Sequence, residues 1–282
     1  MAAMEILKEI NKEVFEKYVP AAKMPQRNTS VYERMTALLE SAYGSLCSAY
    51  LGEAKEKAEE NARIKDEVLR IVCIEAFVGS VRSLDLVLTA TGFGIVSTES
   101  TAPASAARVQ ALVDEMRLQA CLAAERLVEL LVKVEGWADT PQARQRIPVL
   151  FWKPSLMRSY CMLPLTAENW QTVLAKAMTF DSFVRNVVST EYMDHLLQHL
   201  RRGTMGNDDI IVMDMCNRLT ATAVNVEPVD YQAALGAQAD AIVRHLEKYT
   251  DKYPVYGASD LYARKHHSTY ENRKQDPTFF FV

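Results

Sequence analysis

Apolar residues recur at the spacing of an α-helix through most of this 282-residue chain. The longest stripe follows Pro103 and would bury one helix face over about nine turns if it were unbroken. Its members are Val109, Leu112, Val113, Met116, Ala120, Ala123, Leu127, Leu130, Leu131 and Val134, and Gly136 closes it. The pattern therefore predicts a mainly α fold.

Shorter stripes on both sides of this one predict further helices. Gly52 is a natural stop for the first of them, and Ser189 is a natural N-cap for one in the second half. The predicted helical ranges are 31–51, 64–81, 170–187, 192–200, 208–224 and 229–249.

Glycine and proline are scarce, with ten residues of each. Turn-dense all-β folds and phosphate-binding glycine loops need more of them, so both classes are disfavoured. The exception is the segment 85–97, in which alternating apolar residues and the pair Gly92 and Gly94 predict a β-hairpin. The pair does not indicate a dinucleotide site, because the third glycine of that fingerprint is absent and no helix begins there.

A change in composition after Trp137 predicts a domain boundary, because four prolines follow by residue 164. The tail that begins at Tyr253 is rich in Tyr, His and charged residues. The predicted units are an N-terminal helical domain over 1–136 with the hairpin inserted at 85–97, a C-terminal helical domain over 137–252, and an extended C-terminal arm over 253–282.

The two helical-bundle halves show the same order of elements. The stretch DEVLRIVC at residues 66–73 aligns without a gap with DIIVMDMC at residues 209–216. An internal duplication explains this match, and so does chance similarity between helical sequences, because no fixed repeat period is visible.

Charge and cysteine content restrict the function further. The formal net charge of −4 gives no basic footprint for nucleic-acid binding. The five cysteines are widely spaced with no C-x-x-C pair, which favours buried thiols in a reducing compartment. The first residues contain no apolar signal-peptide core, and no apolar run reaches about 18 residues, so we expect neither a secretory signal nor a membrane span.

The candidates for chemistry are few. Glu191, His195 and His199 share one face of a predicted helix at a spacing that could hold a divalent metal, but a polar face at an interface is the favoured interpretation. His266 and His267 are interpreted as solvated or packed on a partner. No nucleophile elbow or cysteine-protease context is present. We therefore expect no enzyme, no catalytic residues, no cofactor and no metal.

The sequence ends in four large apolar residues, Phe279, Phe280, Phe281 and Val282. Contiguous apolar surface on a soluble protein usually marks a contact. Two interpretations stay open: the segment folds back onto its own core, or it binds a neighbouring chain.

The stretch LDLVLTATGFGIVSTESTAPASAARVQAL at residues 84–112 resembles an uncharacterised protein family of Bacteroides phages and prophages. That family carries an L-D-V-x-L-T-x-x-G-F-G-[IV]-V hairpin, then A-P-A-S and a long helix that opens R-V-x-x-L. Weaker matches extend over most of the chain: Tyr18-Val19-Pro20, Leu150-Phe151-Trp152, Tyr253-Pro254, Asn272 and Phe279 to Phe281.

This resemblance implies a virion structural role as a head-completion or head-to-tail connector protein. It implies a homo-oligomeric ring, twelve-fold in the related proteins, that binds the portal and neighbouring tail or connector proteins and lets DNA pass without specific binding. The protein would be assembled in the bacterial host cytoplasm and reside in the virion, with no membrane partner. The residues expected to make contacts are Leu86, Leu88, Phe93, Ile95, Tyr262, Tyr270, Phe279, Phe280 and Phe281.

A function from another class competes with this one. A helical adaptor or regulatory module of a phage or mobile element would also have a plain helical core, and it would bind a protein partner in solution. A carboxylate and histidine enzyme is disfavoured, because its sites need repeated E-x-x-H pairs that this sequence lacks.

Overall fold

A computed structural model describes residues 5–22, 30–81, 86–89, 92–95 and 105–267 of the chain. Within these ranges the fold is mainly α, as the apolar periodicity predicts. The helices of the first half are α1 (Glu5–Glu9), α2 (Lys12–Tyr18), α3 (Ser30–Leu46), α4 (Lys55–Glu59), α5 (Ala62–Ser80) and α6 (Ala106–Leu131). Those that follow are α7 (Pro141–Arg146), α8 (Pro154–Tyr160), α9 (Ala167–Val188), α10 (Thr190–Arg202), α11 (Asn207–Ala223), α12 (Tyr231–Lys248), α13 (Pro254–Gly257) and α14 (Asp260–Lys265).

Two short strands lie between α5 and α6, inside the segment 85–97. Strand β1 (Leu86–Thr89) pairs antiparallel with β2 (Gly92–Ile95), so that Leu86 stands opposite Ile95 and Thr89 opposite Gly92. The backbone pairing is all that the structure describes here. The interaction role predicted for Leu86, Leu88, Phe93 and Ile95 stays a prediction.

Helix α5 is the centre of the first half. Ten of its residues are buried, on a face wide enough to contact α3 on one side and α6 on the other. Asn61 caps its first turn, accepting hydrogen bonds from the backbone N–H groups of Arg63 (3.0 Å) and Ile64 (3.4 Å).

The buried core continues across the boundary predicted at residues 136 and 137. One cluster of buried side chains includes Leu127 and Leu131 of α6, Trp137, and Leu196 of α10. A second, smaller cluster joins Val149 and Phe151 to α9 and α11. The prolines of this stretch begin helices, with Pro141 first in α7 and Pro154 first in α8. The division into units at 136 and 252 stays a prediction, and the core is continuous at the first of these points.

The described part of the predicted C-terminal arm is not extended. Residues 254–257 and 260–265 are helical, and Tyr253 and Tyr256 are fully buried. Tyr256 packs edge-on against Tyr192 of α10, with ring centroids 6.3 Å apart. The prediction of an extended arm from residue 253 is wrong up to residue 267, because Tyr253 and Tyr256 bury their apolar area in this core.

The two aligned stretches occupy similar local environments. Asp66 accepts a hydrogen bond from the hydroxyl of Tyr18 (2.6 Å), and Asp209 accepts one from the hydroxyl of Tyr192 (2.7 Å). Cys73 and Cys216, seven residues later in each stretch, are both buried. The match between the halves is local and does not show a duplication.

A strained residue joins α9 to α10. Ser189 has φ 138° and ψ 149°, a region that only glycine occupies easily, and it is 1 % exposed. Its hydroxyl oxygen accepts a hydrogen bond from the backbone N–H of Tyr192 at 3.1 Å and so caps α10, as the sequence predicts.

We expect Ser189→Gly to raise the free energy of unfolding by about 1 kcal/mol, because relief of strain outweighs the few tenths lost when glycine replaces a capping serine. Ser189→Ala keeps the strain and loses the cap, so it should lower that free energy by about 1 kcal/mol. Urea unfolding followed by circular dichroism measures both. A glycine variant less stable than the alanine variant would show that the backbone at residue 189 is not strained.

A buried carboxylate of α6 caps α8. The backbone N–H of Ser155 donates to Oε2 of Glu125 at 3.0 Å, and Glu125 is 9 % exposed. Lys153 forms ion pairs with both Glu125 and the exposed Glu129, and the pair with Glu129 is the shorter, at 2.7 Å against 3.8 Å. Glu125 therefore satisfies a first-turn N–H that has no partner within the helix.

Glu125→Ala should lower the free energy of unfolding by about 1–2 kcal/mol, because it leaves a partly buried N–H without an acceptor. The matched control is Glu129→Ala, which removes only an exposed ion pair, for a loss of roughly 0.2–1 kcal/mol. Thermal and urea unfolding of both variants give the comparison. Equal losses would show that the capping bond contributes nothing beyond the ion pair.

Candidate interaction groove

A groove lies over α5, between α3 and α6. Both outer helices pack against α5, which forms the floor, and the space between them has a volume of about 390 Å³. We call it the α5 groove. Its lining residues are Leu38, Ser41, Ala42, Ser45, Leu46, Ala49 and Tyr50 before α5, Ile71, Glu75 and Ala76 on it, and Ala120, Cys121 and Ala124 on α6.

The walls of the groove are small and largely apolar. Five of the lining residues are alanines, which allow another chain to come close to the helix backbones. Leu38 on the rim is 37 % exposed, so a large apolar side chain faces solvent at the edge. Grooves of this size and lining typically bind apolar ligands or side chains. The arrangement suits binding by shape and apolar contact.

Three titratable groups lie among these walls. Glu75 is exposed, yet partial desolvation by its apolar neighbours raises the pKa of its carboxyl, and the positive charge of Arg117 opposes this only in part. Burial also raises the pKa of the Cys121 thiol, and the nearby Glu75 adds to that shift. Burial raises the pKa of Tyr50 against the opposing charge of Arg146. Glu75 is the one charged residue among the described residues that line the groove.

The end of the α3 wall is a π-helical turn, Cys47–Leu51, whose carbonyl groups are held by side chains of the next half. Trp137 Nε1 donates to the carbonyl of Tyr50 at 2.7 Å, and Arg146 Nε donates to that of Ala49 at 2.9 Å. The Arg146 guanidinium also stacks on the Tyr50 ring, 3.9 Å from its centroid. Single π-turns inside helices often mark functional sites. Here the turn orients Tyr50 into the groove.

Gly52 ends this turn as the sequence predicts, and its backbone requires glycine. Its φ is +51°, and a Cβ at this position would meet the amide of Gln142 at 2.5 Å. Gln142 in turn donates to the carbonyl of Ser48 at 3.1 Å. The contacts of residues 137–146 with the turn therefore hold the wall of the groove in place.

Of the residues predicted to make contacts, only Tyr262 has a described side chain, and it does not line the groove. The strands hold Leu86, Leu88, Phe93 and Ile95, whose side chains are not described. Tyr270, Phe279, Phe280 and Phe281 lie outside the described residues. Tyr262 is half-buried on α14, edge-on to Tyr256 with ring centroids 5.5 Å apart, so much of its surface is used within the chain.

The ring centroids of His195 and His199 lie 4.3 Å apart, but each ring forms its hydrogen bonds with a different group. His195 Nε2 lies 3.3 Å from Asp209 Oδ2, whereas His199 Nδ1 lies 2.9 Å from the hydroxyl of Thr204. The Glu191 carboxylate accepts from the backbone N–H of Asp260 at 3.3 Å, at the start of α14. Across the described residues, no three His, Cys, Asp or Glu side chains meet in a way that could hold a metal ion.

None of the helices in the described ranges is both long enough and apolar enough to cross a lipid bilayer.

The apolar pattern of the sequence does not separate the groove from the core. Leu38 and Ala42 lie on the same apolar side of α3 as the buried Leu39 and Leu46, yet both line the groove. The small residues Ala42, Ala120 and Ala124 on its walls do not mark which part of a helix face stays uncovered.

The profile of a family of unknown function, DUF6712, matches residues 26–147 of the chain. This is less than half of the chain, yet it includes every residue that lines the groove and the side chains that hold the π-turn. No curated protein and no solved structure matches.

Thiol reactivity should distinguish the groove from the core. Burial raises the pKa of both Cys73 and Cys216 to about 12, and both side chains are out of contact with solvent. We expect iodoacetamide to label Cys121 in native protein diluted until it is monomeric, faster at pH 9 than at pH 7 because the thiolate is the reactive form. Cys73 and Cys216 should stay unlabelled until urea unfolds the chain. Mass spectrometry locates the label, and native labelling of Cys216 as fast as Cys121 would contradict the burial.

Proposed function

We propose that this protein is a non-catalytic structural subunit of a phage virion, a head-to-tail connector or ring protein that assembles with copies of itself on or near the portal. The open α5 groove is the observation that supports binding to other protein chains. An apolar groove with small walls and an exposed leucine at its rim favours a protein chain as its ligand.

The proposal that the protein belongs to a phage virion rests on the sequence of residues 84–112. That stretch carries the hairpin motif and the start of α6, and it resembles the phage and prophage family. Ring subunits need a helical core together with separate surfaces that contact the next copy. The groove is one such surface, and the segment 85–97 is proposed as a second, facing a sister subunit or the portal.

The remaining expectations belong to the same proposal. The protein would be a virion component assembled in the bacterial host cytoplasm, with portal and neighbouring tail proteins as partners and DNA passing through the ring. The two helical halves are proposed to be related by duplication. The paired contacts of Asp66 with Tyr18 and of Asp209 with Tyr192 support that relation.

The test is electron microscopy of the purified full chain, alone and mixed with the portal protein of the same phage or prophage genome. We expect ring-shaped particles, or a ring added to one end of the portal. A chain that stays monomeric and never binds the portal would contradict the proposal. Portal, protease and major capsid genes next to this gene would support it independently.

The α5 groove also favours a second candidate, a helical adaptor that binds one peptide in solution. Its slot-like shape and single charged residue would suit a partner with an apolar segment and one base. Light scattering distinguishes the two functions, because an adaptor should be a stable monomer that binds its partner one to one.

A further inference from the structure

We propose that the α5 groove binds the C-terminal aromatic segment, residues 268–282, of a second copy of this chain. The choice of a second copy rests on the proposed function. The choice of this segment rests on the groove itself, on the chemistry of the sequence, and on the distance that the chain can span.

The chemistry of the segment complements the groove. Phe279, Phe280 and Phe281 are consecutive aromatic residues. Two bases, Arg273 and Lys274, and two acids, Glu271 and Asp276, precede them, so the segment has no formal net charge and pairs with the groove chiefly through its apolar end. The groove offers apolar walls and one carboxylate, Glu75, which lies on its floor beside Ala76. Aromatic rings against alanine walls bury a large apolar area, and Arg273 or Lys274 beside the exposed Glu75 would add a modest ion pair.

The size of the groove also fits. Its volume of about 390 Å³ lies in the range of roughly 300–1,000 Å³ that holds a drug-sized ligand, and two or three phenyl rings are of that size. Ala42 on α3 and Ala124 on α6 both line the groove with small side chains. Leu38 at the rim adds apolar surface for residues that continue beyond the groove.

The chain is long enough to reach a neighbour. Phe279 lies 14 residues beyond Lys265, the last residue of α14, and such a stretch spans at most about 50 Å when extended. A folded chain of 282 residues has a radius of gyration of about 19 Å. The segment can therefore extend past the surface of its own copy.

A contact between copies would build the proposed ring. The described lining of the groove lies within residues 38–124, whereas the segment follows α14, which contacts α13, and α13 contacts α10. A tail that binds the groove of the next copy makes a head-to-tail contact, and such contacts form a ring when the rotation between copies closes.

The binding test uses a fluorescent peptide of residues 268–282. Its receptor is the full chain with Phe279→Ser, Phe280→Ser and Phe281→Ser, which cannot fill the groove with its own tail. We expect saturable binding by fluorescence anisotropy, and protection of Cys121 from iodoacetamide by the peptide. Ala124→Trp in the receptor fills the groove and should weaken binding at least tenfold. The matched control, Ala111→Trp on an exposed position of α6, should leave it within twofold.

A charge exchange tests the same contact without adding bulk. Glu75→Lys should weaken binding of the native peptide severalfold, and a peptide with Arg273→Glu and Lys274→Glu should recover most of that loss. The control is Glu115→Lys, which changes an exposed carboxylate on α6 that does not line the groove. Thermal unfolding checks that each receptor is folded. If Ala124→Trp fails to fold, the charge exchange alone tests whether the peptide binds the groove. Absent binding, or binding that neither groove variant changes, would overturn the proposal.

The oligomeric state separates a contact between copies from one within a copy. Light scattering should show that the unaltered chain assembles as its concentration rises and that the triple serine variant does not. If the peptide binds but the unaltered chain stays monomeric with Cys121 protected from iodoacetamide, the tail occupies the groove of its own copy. That result would overturn the choice of a second copy. Rings on the portal that persist in Ala124→Trp would overturn this inference while leaving the proposed function standing.

Discussion

The structure depends on the packing of α5 between α3 and α6. Residues such as Ile64, Val68 and Phe77 bury the greater part of the α5 surface, and burial of apolar area at about 25 cal/mol per Å² is the main favourable term in folding. Because α5 contacts both neighbours, it sets the distance between them. The groove is the part of the α5 surface that neither neighbour covers.

The groove keeps its form because its walls are held from outside. Trp137, Gln142 and Arg146 donate hydrogen bonds to three carbonyl groups of the π-turn that ends the α3 wall. These donors come from the stretch that looked like a domain boundary. Pro141 begins the short helix α7, which presents Gln142 and Arg146, so a segment with the composition of a linker supports the candidate binding surface.

The helices were predictable because their apolar faces repeat with the helical period and their ends carry recognisable caps. Gly52 and Ser189 both lie at the helix ends predicted for them. The positive φ of Ser189 was not predictable, since a serine cap ordinarily has extended backbone and the strain comes from how α9 and α10 pack. The predicted extended arm failed at Tyr253 and Tyr256 because aromatic residues near the end of a chain serve equally well as core or as contact.

The groove could not be predicted for a related reason. A stripe of Leu38, Leu39 and Ala42 indicates which face of α3 is apolar, but not which part of that face a neighbouring helix covers. That depends on the crossing of α3, α5 and α6, which the pattern of one helix does not contain.

The central claim is that the α5 groove binds the aromatic segment of another copy. Its most direct test places a photo-crosslinking amino acid at Ser45, an exposed lining residue, in full chain mixed from ¹⁴N- and ¹⁵N-labelled preparations. After illumination, mass spectrometry should find cross-links from residue 45 to residues 278–282 that join the two labels. Cross-links confined to one label, or none to that segment, would contradict the claim.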